Sequence, residues 1–287
     1  MKFNFKNKTY EIEKVLGKGA FGIVYLIYDI NNVKNKKTIK CYFPYKNGNG
    51  AVNFEKEYEN LLKIKKLLHG CINNLICFED IGKIELNQNS KLYNFIYNNM
   101  EEIVGSKIDK TNIYVLITSY VEGPNINDFI ENYDIYVDDI KNFMEDMLPV
   151  VEVLHQNNIV HRDIKPGNII YQNLQNFVLI DLGLSCIDDC EHLSGTPGYV
   201  IPELYYTKNP SLELYKQSDI YALGITLYQL ANVDSNPFVG NTDTLKEPSH
   251  TNIKLLDEFI NDIIFTRKYK TIYELKDKWY AIKKFIN

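Results

Sequence analysis

The chain has 287 residues, of which 45% are hydrophobic and 24% are charged, the balance of an ordinary folded domain. Its formal net charge of −5 argues against a nucleic-acid-binding protein, because such proteins carry a basic surface. No apolar run is long enough for a membrane span, and the polar start, residues 1–8, does not have the pattern of a signal peptide. We therefore expect a cytoplasmic or nuclear protein without a nucleic-acid partner.

The cysteines are odd in number and lack the paired spacing of zinc ligands. In a cytosolic or nuclear protein the simplest interpretation is that all of them are reduced thiols. Two of them flank an acidic turn at 188–189, where a redox switch is the alternative to free thiols. The cysteines are Cys41, Cys71, Cys77, Cys186 and Cys190.

The first part of the chain is expected to form strands and one helix. Short alternating or β-branched runs, separated by glycines and polar turns, predict strands. Apolar residues with helical spacing predict a helix at 54–68. The polar, Asn-rich stretch at about 85–110 is expected to be an insertion or a mobile loop. The strands are expected at 8–16, 23–28, 37–43, 75–78 and 113–118, with a polar turn at 31–36.

The pattern changes to helical periodicity after Gly123. A loop-rich stretch at 159–203 separates the expected helices into two groups. Strands first and helices second predict an α+β protein with two lobes joined near residues 119–124. The helices are expected at 126–133, 137–157, 218–231 and from 254 onward.

Three glycines near the start have the spacing G-x-G-x-x-G. Glycines let a backbone turn tightly and approach a triphosphate without Cβ clashes. The motif alone is equally compatible with a plain hairpin or with a dinucleotide-binding site, but a dinucleotide site needs a helix after the last glycine. The residues after Gly22 have the composition of a strand, so we expect a loop that joins two strands and covers a nucleotide. The residues are Gly17-Lys18-Gly19-Ala20-Phe21-Gly22, with Val24 two positions later.

A series of motifs in the second half of the chain resembles the eukaryotic-type protein kinase family, in its serine/threonine branch. The motifs occur in the family's order and, with the glycine-rich loop, span almost the whole chain. Leu182 stands where the family's D-F-G motif has Phe. The motifs are His161-Arg162-Asp163-Ile164-Lys165-Pro166-Gly167-Asn168, Asp181-Leu182-Gly183, Gly195-Thr196-Pro197-Gly198-Tyr199, Ile201-Pro202-Glu203 and the helix segment beginning Ser218-Asp219.

The resemblance implies one kinase domain over residues 1–287 with the bilobal protein kinase fold. Residues 1–121 would form a small, mostly antiparallel β lobe with one key helix, including the probable insertion at about 85–110. Residues 122–287 would form a larger, mainly helical lobe. The resemblance further implies ATP and Mg²⁺ as cofactors and serine or threonine hydroxyls of proteins as acceptors, with no indication of an activator.

The resemblance also assigns roles to individual residues. Asp163 would accept or orient the proton of the attacking hydroxyl, and Lys165 would place a positive charge near the transferred group. Asn168 and Asp181 would supply the hard oxygen ligands that Mg²⁺ prefers. Lys40 would contact the α- and β-phosphates, although its motif, Lys37-Thr38-Ile39-Lys40, departs from V-A-I-K at its first two positions.

The helix at 54–68 is expected to supply the ionic partner of Lys40. Glu57 has apolar residues four and seven positions later, in the register of the family's helix, and Glu59 is the second choice. The other nucleotide contacts implied by the resemblance are the glycine-rich loop Gly17, Lys18, Gly19, Ala20, Phe21 and Gly22, together with Val24, Thr38, Thr118, Ser119, Val121, Asn125 and Ile170.

Arg162 before the catalytic aspartate is a feature usually tied to control by phosphorylation of the following loop. The usual phosphorylated position falls near His192, so we expect no phosphorylation there. An acid at 188, 189 or 191 would stand in for the phosphate, with Ser185 and Ser194 as the alternative phosphorylation sites. Thr196 would bond Asp163 and Lys165. Glu203 is expected to pair with Arg267 or, because the alignment is uncertain by one residue, with the lysine that follows it.

Two other classes of protein share parts of this pattern. A pseudokinase, which uses the fold only for binding, would be damaged at the lysine, base or metal positions, whereas all of these are intact. Small-molecule kinases share the aspartate and asparagine of the catalytic loop but generally lack Lys165 and the segment at 195–203. Neither class explains the whole series of motifs.

Overall fold

The computed structural model describes residues 1–19, 22–42, 54–85, 112–190, 193–238 and 244–286, with a few more between 92 and 99. At 19, 54–57 and 112 it describes the backbone only. The chain forms two compact units. One consists of Met1–Cys71 and Cys77–Tyr120, and the other of Ile72–Ile76 and Val121–Asn287.

The first unit is built on an antiparallel sheet in which β-branched and aromatic residues favour extended backbone. The described strands pair in the order β1-β2-β3-β4-β6-β5. The helix α1, Phe54–Leu67, contacts β5 and buries Leu61 and Ile64. The strands are β1 Lys2–Phe5, β2 Lys8–Gly19, β3 Gly22–Asp29, β4 Asn32–Tyr42, β5 Phe78–Glu85 and β6 Asn112–Ser119.

Successive side chains of β4 point to opposite faces of this sheet. Ile39 and Cys41 lie on the face that packs into the apolar core of the unit, where Ile96 is also buried. Lys37 shares that buried face and forms an ion pair with Glu79. Burial lowers the pKa of Lys37 below its usual value. The opposite face of β4 carries the two residues predicted to contact a nucleotide, at 38 and 40.

Two predictions for the first unit need correction. The strand expected at 75–78 starts at Phe78, and Leu75 forms only an isolated bridge with Leu179. The polar stretch at 31–36 is mostly strand, because β4 already pairs with β3 from Asn32 onward. Backbone pairing tolerates polar side chains at the exposed end of a strand, which composition alone does not reveal. The strand β1 was not predicted, and most of the expected insertion at about 85–110 lies outside the described residues.

The expectation that every cysteine is reduced is wrong. Disulfides join Cys71 to Cys77 and Cys186 to Cys190, with Cα atoms 4.8 and 5.5 Å apart. Cys41 is the free cysteine, and burial raises the pKa of its thiol to about 12. The spacing in sequence could not reveal these pairs, because a disulfide depends on local turns that bring two Cα atoms to about 6 Å.

The second unit is mainly helical, with two small antiparallel pairs of strands. The strand β8 pairs with β9, and β10 pairs with β7. The helices are α2 Ile126–Asn132, α3 Val137–Gln156, α4 Glu203–Tyr206, α5 Leu212–Asn232, α6 Lys254–Ile264 and α7 Ile272–Ile282. The strands are β7 Ile159–Val160, β8 Ile169–Gln172, β9 Asn176–Leu179 and β10 Cys186–Ile187.

The helix α5 forms the centre of this unit and is buried along most of its length. It begins at Leu212, earlier than predicted, because Ser211 caps its first turn by accepting a hydrogen bond from Leu214 N. A Cβ at Gly224 would collide with Ile263, so this glycine permits the close packing of α5 and α6. Among the described helices, none is both long and apolar enough to cross a bilayer.

Candidate active site

The carboxylate of Asp219, on α5, holds the backbone of the predicted catalytic loop. Its two oxygens accept hydrogen bonds from the backbone N–H groups of His161 and Arg162, each over 2.8 Å. Nε2 of His155 lies 3.0 Å from the same carboxylate. Arg162 has a positive φ of 64°, which bends the loop immediately before Asp163. A fully buried aspartate therefore fixes a strained turn, and this turn positions the next side chain.

Three polar side chains meet at the carboxylate of Asp163. The hydroxyl of Thr196 donates to Oδ1 over 2.6 Å, and Nδ2 of Asn168 donates to Oδ2 over 2.8 Å. Nζ of Lys165 lies 2.9 Å from Oδ2 and 2.7 Å from the hydroxyl oxygen of Thr196. The predicted bonds of Thr196 to Asp163 and Lys165 are confirmed. A hydroxyl placed at this position contacts a carboxylate and an ammonium group together.

The two predicted metal ligands are neighbours in the backbone of the second unit. Asn168 closes a short 3₁₀ turn just before β8, and its carbonyl accepts a hydrogen bond from Ile180 N over 2.8 Å. Asp181 follows at once, in a left-handed conformation with φ of 60°. Nδ2 of Asn168 is bonded to Asp163, which leaves the amide oxygen as the group that can bind a cation.

One amide oxygen and one carboxylate fit Mg²⁺, which usually takes one or two protein carboxylates and completes its shell with water and phosphate oxygens. In the part of the chain that the structure describes, no group of three or more His, Cys, Asp or Glu side chains is arranged to hold a metal ion. The donor set therefore suits a hard cation that arrives with a phosphate ligand better than a structural zinc ion.

His161 is a fully buried side chain of the loop. Its Nδ1 accepts a hydrogen bond from Asp163 N over 3.2 Å, so Nε2 carries the proton and donates to the carbonyl of Ile180 over 3.3 Å. Burial lowers the pKa of His161, and the ring is therefore neutral at physiological pH. His161 thus links the backbone of the predicted base at 163 with that of the predicted metal ligand at 181.

The acids proposed as substitutes for a phosphate are only partly described. Asp188 accepts a hydrogen bond from Nδ2 of Asn158 over 3.0 Å, and residue 191 lies outside the described residues. Nε of Arg162 donates to the carbonyl of Leu184 over 2.6 Å. Burial is the main cause of the raised pKa of Tyr215, while Arg162 opposes the rise and Asp189 adds to it, so these three side chains share one region.

The ionic partner of Glu203 is Arg267, one of the two residues predicted for this role. Nη1 of Arg267 lies 3.2 Å from Oε1 of Glu203. The alternative, Lys268, pairs with Asp262 over 2.9 Å instead. Arg267 has a left-handed backbone with φ of 49°, and such a local reversal of the chain is not visible in the sequence.

The first unit contains the glycine-rich loop. Gly17 and Gly19 end β2 and pair with Val24 and Gly22 of β3, so the predicted strand–loop–strand arrangement is confirmed. A Cβ at Gly22 would collide with the carbonyl oxygen of Cys41, so this glycine is required by the approach of β4. The tip of the loop, residues 20–21, lies outside the described residues, although both positions were predicted to contact the nucleotide.

The unburied face of β4 carries Thr38 and Lys40. Thr38 pairs with Thr118 of β6, and the two hydroxyl oxygens are 2.5 Å apart. Val24 pairs with Lys40 across β3 and β4, and Nζ of Lys40 lies 5.1 Å from the centre of the Tyr42 ring. The side chain of the predicted partner at position 57 lies outside the described residues. The second choice, at position 59, is exposed.

The remaining predicted nucleotide contacts are distributed over both units. Ser119, in the first unit, uses its N–H to bond the carbonyl of Cys77 over 3.1 Å and pairs with Lys37 across β4 and β6. Val121 and Ile170, in the second unit, belong to one small apolar cluster. The side chain of Asn125 caps α2 by accepting a hydrogen bond from Asp128 N over 3.0 Å, which is a structural role.

The hydrogen bond between Tyr199 and Gln229 was not predicted. The hydroxyl of Tyr199 donates to Oε1 of Gln229 over 2.6 Å, and Gln229 is buried within α5. Tyr199 N donates to the carbonyl of Thr196 over 3.0 Å, so the bond anchors the turn that carries Thr196. The sequence signal that could have indicated this bond is Gln229 itself, a polar residue within an apolar helical run.

Comparisons with known proteins agree with this geometry. A family model described as the protein kinase domain matches residues 10–286. The chain therefore belongs to the protein kinase family, and the predicted family and bilobal fold class are confirmed.

The curated relatives include "Serine/threonine-protein kinase PrkC" of Bacillus subtilis, 28% identical over 77% of this chain and 30% of the relative. "Calcium/calmodulin-dependent protein kinase type 1" of Caenorhabditis briggsae is 29% identical over 78% of this chain and 54% of the relative. "Aurora kinase" of Eremothecium gossypii is 28% identical over 82% of this chain and 56% of the relative. The alignments thus cover between about a third and just over half of each of these relatives.

Proposed function

We propose that this chain is a serine/threonine protein kinase that transfers the γ-phosphoryl group of Mg-ATP to protein hydroxyl groups. The observation that carries the proposal is the arrangement of Thr196, Lys165 and Asn168 around the carboxylate of Asp163. It offers an incoming hydroxyl a proton acceptor and a nearby positive charge, which are the protein's main contributions to phosphoryl transfer.

In the proposed reaction, Asp163 accepts or orients the proton of a substrate hydroxyl as its oxygen forms a bond to the γ-phosphorus. The bond from the γ-phosphorus to the bridging oxygen breaks, and ADP leaves with the electron pair. Asn168 holds Asp163 in place through Oδ2, while Lys165 offsets negative charge near the transferred group. Asp163 is buried, so its carboxylate is shielded from competing water.

Mg²⁺ would neutralise charge on the phosphates, and Asn168 and Asp181 are the residues proposed to hold it. Lys40 would contact the α- and β-phosphates, with Glu57 as its proposed partner. Within the first unit, Val24, Thr38 and Thr118 lie on one face of the sheet and would contact the adenine. The backbone carbonyl of Ser119 would accept a hydrogen bond from the adenine ring system.

The proposed acceptor is a serine or threonine of a protein. The names of the relatives support this choice, and Lys165 marks the serine/threonine branch of the family by resemblance. The location stays proposed as cytoplasmic or nuclear.

The test is incubation with γ-labelled ATP, Mg²⁺ and a general protein substrate such as casein, followed by acid hydrolysis and identification of the labelled amino acid. We expect phosphoserine or phosphothreonine, formed only with Mg²⁺ and absent when EDTA is added. Asn168→Ala, which removes a proposed Mg²⁺ ligand, should abolish the transfer even when Mg²⁺ is added. Labelled phosphotyrosine alone, or transfer that persists in EDTA, would contradict the proposal.

A further inference from the structure

The disulfide between Cys186 and Cys190 lies five residues after the proposed metal ligand Asp181. It brackets a tight turn in which Asp189 N donates to the carbonyl of Ile187 over 2.6 Å. Cys186 and Cys190 are 3% and 7% exposed. The disulfide is therefore buried. It lies in residues 184–190, which connect a proposed metal ligand with the rest of the site and which we call segment 184–190.

Segment 184–190 is attached directly to the loop that carries Asp163. Cys186 and Ile187 form the strand β10, which pairs with β7 immediately before that loop. Nε of Arg162 donates to the carbonyl of Leu184 over 2.6 Å, and the hydroxyl of Ser185 donates to the carbonyl of His161 over 3.3 Å. A movement of the segment would therefore pull on the backbone beside the proposed base.

The turn closed by the disulfide makes a second attachment. Asp188 has a left-handed φ of 57°, its N–H donates to the carbonyl of Asn158 over 3.1 Å, and its carboxylate accepts from Nδ2 of Asn158 over 3.0 Å. Lys216 in turn donates to Oδ1 of Asn158 over 3.1 Å. Because a left-handed aspartate costs conformational energy, a covalent bridge around it helps to keep this turn formed.

We propose that Cys186 and Cys190 form a thiol–disulfide exchange site for low-molecular-weight thiols such as glutathione. The oxidised form fixes segment 184–190 against the catalytic loop, and the reduced form releases it. In exchange, a thiolate attacks one sulfur, the Cys186–Cys190 bond breaks, and the released thiolate takes up a proton. A second thiol resolves the mixed disulfide, so that two thiols are oxidised to one small disulfide and the pair is reduced to two cysteines.

The effect of this exchange is local. A disulfide that closes a very short loop restricts the unfolded chain little, so its loss changes the segment more than the stability of the whole unit. Because both sulfurs are buried, a thiol reaches them only when the segment opens. The rate of reduction therefore reports the opening of segment 184–190 and should be slower than that of an exposed disulfide.

The first test measures structure and does not depend on activity. The whole chain is prepared oxidised or reduced with glutathione, the state of each disulfide is read by alkylation and mass spectrometry, and amide hydrogen exchange is measured. We expect faster exchange of residues 159–162 and 184–190 after reduction, and in Cys186→Ser/Cys190→Ser without reductant. The matched control, Cys71→Ser/Cys77→Ser, should leave these residues unchanged. Unchanged exchange after proven reduction of Cys186–Cys190 would overturn the proposal.

The second test rests on the proposed function. Oxidised protein should have a kcat roughly three- to tenfold above that of reduced protein, because reduction lowers the fraction of molecules with an ordered segment. The serine double variant should show the lower value with or without glutathione. Equal kcat in both states would overturn the link to activity. If no state transfers phosphate while exchange responds as expected, the proposed function fails and the exchange site stands.

Discussion

The hydroxyl of Thr196 donates a hydrogen bond to the carboxylate of Asp163 over 2.6 Å, although the two residues are far apart in the sequence. The same hydroxyl accepts a hydrogen bond from Lys165 over 2.7 Å. Thr196 thus closes a ring of contacts between the proposed base and the proposed cation. It also places a hydroxyl in the type of environment that a substrate hydroxyl would need.

The first prediction concerns this ring of contacts. Thr196→Val keeps the shape of the side chain and removes the hydroxyl, so Asp163 and Lys165 each lose a charge-assisted partner. A bond of this kind contributes about 1.5–3 kcal/mol, and kcat should therefore fall roughly ten- to a hundredfold. Steady-state phosphorylation assays measure the change. Thr196→Ser, which keeps the hydroxyl, is the control, and equal activity of the valine and serine variants would refute the role.

The second prediction concerns the support of the catalytic loop by Asp219. Asp219→Ala leaves the N–H groups of His161 and Arg162 buried without their acceptor, at a cost of roughly 1–3 kcal/mol for each group. Asp219→Asn keeps one acceptor oxygen and should lose less stability than the alanine variant. Urea unfolding measures both losses. An alanine variant as stable as the wild type would show that the loop holds its conformation by other means.

The third prediction concerns the pH dependence of stability at Asp146. Burial raises the pKa of this carboxyl, although a hydrogen bond from Phe177 N over 2.7 Å opposes the rise. Because the pKa is raised in the folded state, the contribution of this carboxyl to stability is fully present at pH values below its pKa in the unfolded chain, about 3.9. That contribution is lost as the pH rises through the folded-state pKa.

Asp146→Asn removes this titration and keeps an acceptor for Phe177 N. The stability of the variant relative to the wild type should therefore be higher at pH 7.5 than at pH 4.5, as measured by urea unfolding at both pH values. Asp138→Asn, which removes a charge from the exposed start of α3, is the matched control. A difference between variant and wild type that does not change with pH would contradict the assigned cause.

Short motifs made the catalytic loop predictable. Asp163, Lys165 and Asn168 lie within six residues of one another, so the spacing alone places them together at one turn. The helix α1 was also predictable, because its apolar residues repeat with the helical period, and so was the strand β3, because its run of β-branched and aromatic residues favours extended backbone. The bond between Thr196 and Asp163 followed from the family resemblance and is present in the structure.

Other features depend on contacts that no local pattern encodes. The strand β5 does not alternate cleanly between buried and exposed residues, and its register shifts between Phe78 and Asp80, so its position was mispredicted. The disulfides depend on turns that bring cysteines together. The choice between Arg267 and Lys268 depends on a left-handed residue that redirects one side chain toward Glu203.

The proposed function requires Asp163 to act as the base of a phosphoryl transfer reaction. The most direct measurement compares the rate of phosphate transfer from labelled Mg-ATP to a protein substrate by the wild type, by Asp163→Asn and by the control Asp138→Asn. We expect a rate for Asp163→Asn about 10²–10⁴-fold below the wild type, with Asp138→Asn unaffected and with both variants folded. A folded Asp163→Asn variant that transfers phosphate at the wild-type rate would show that Asp163 is not the base.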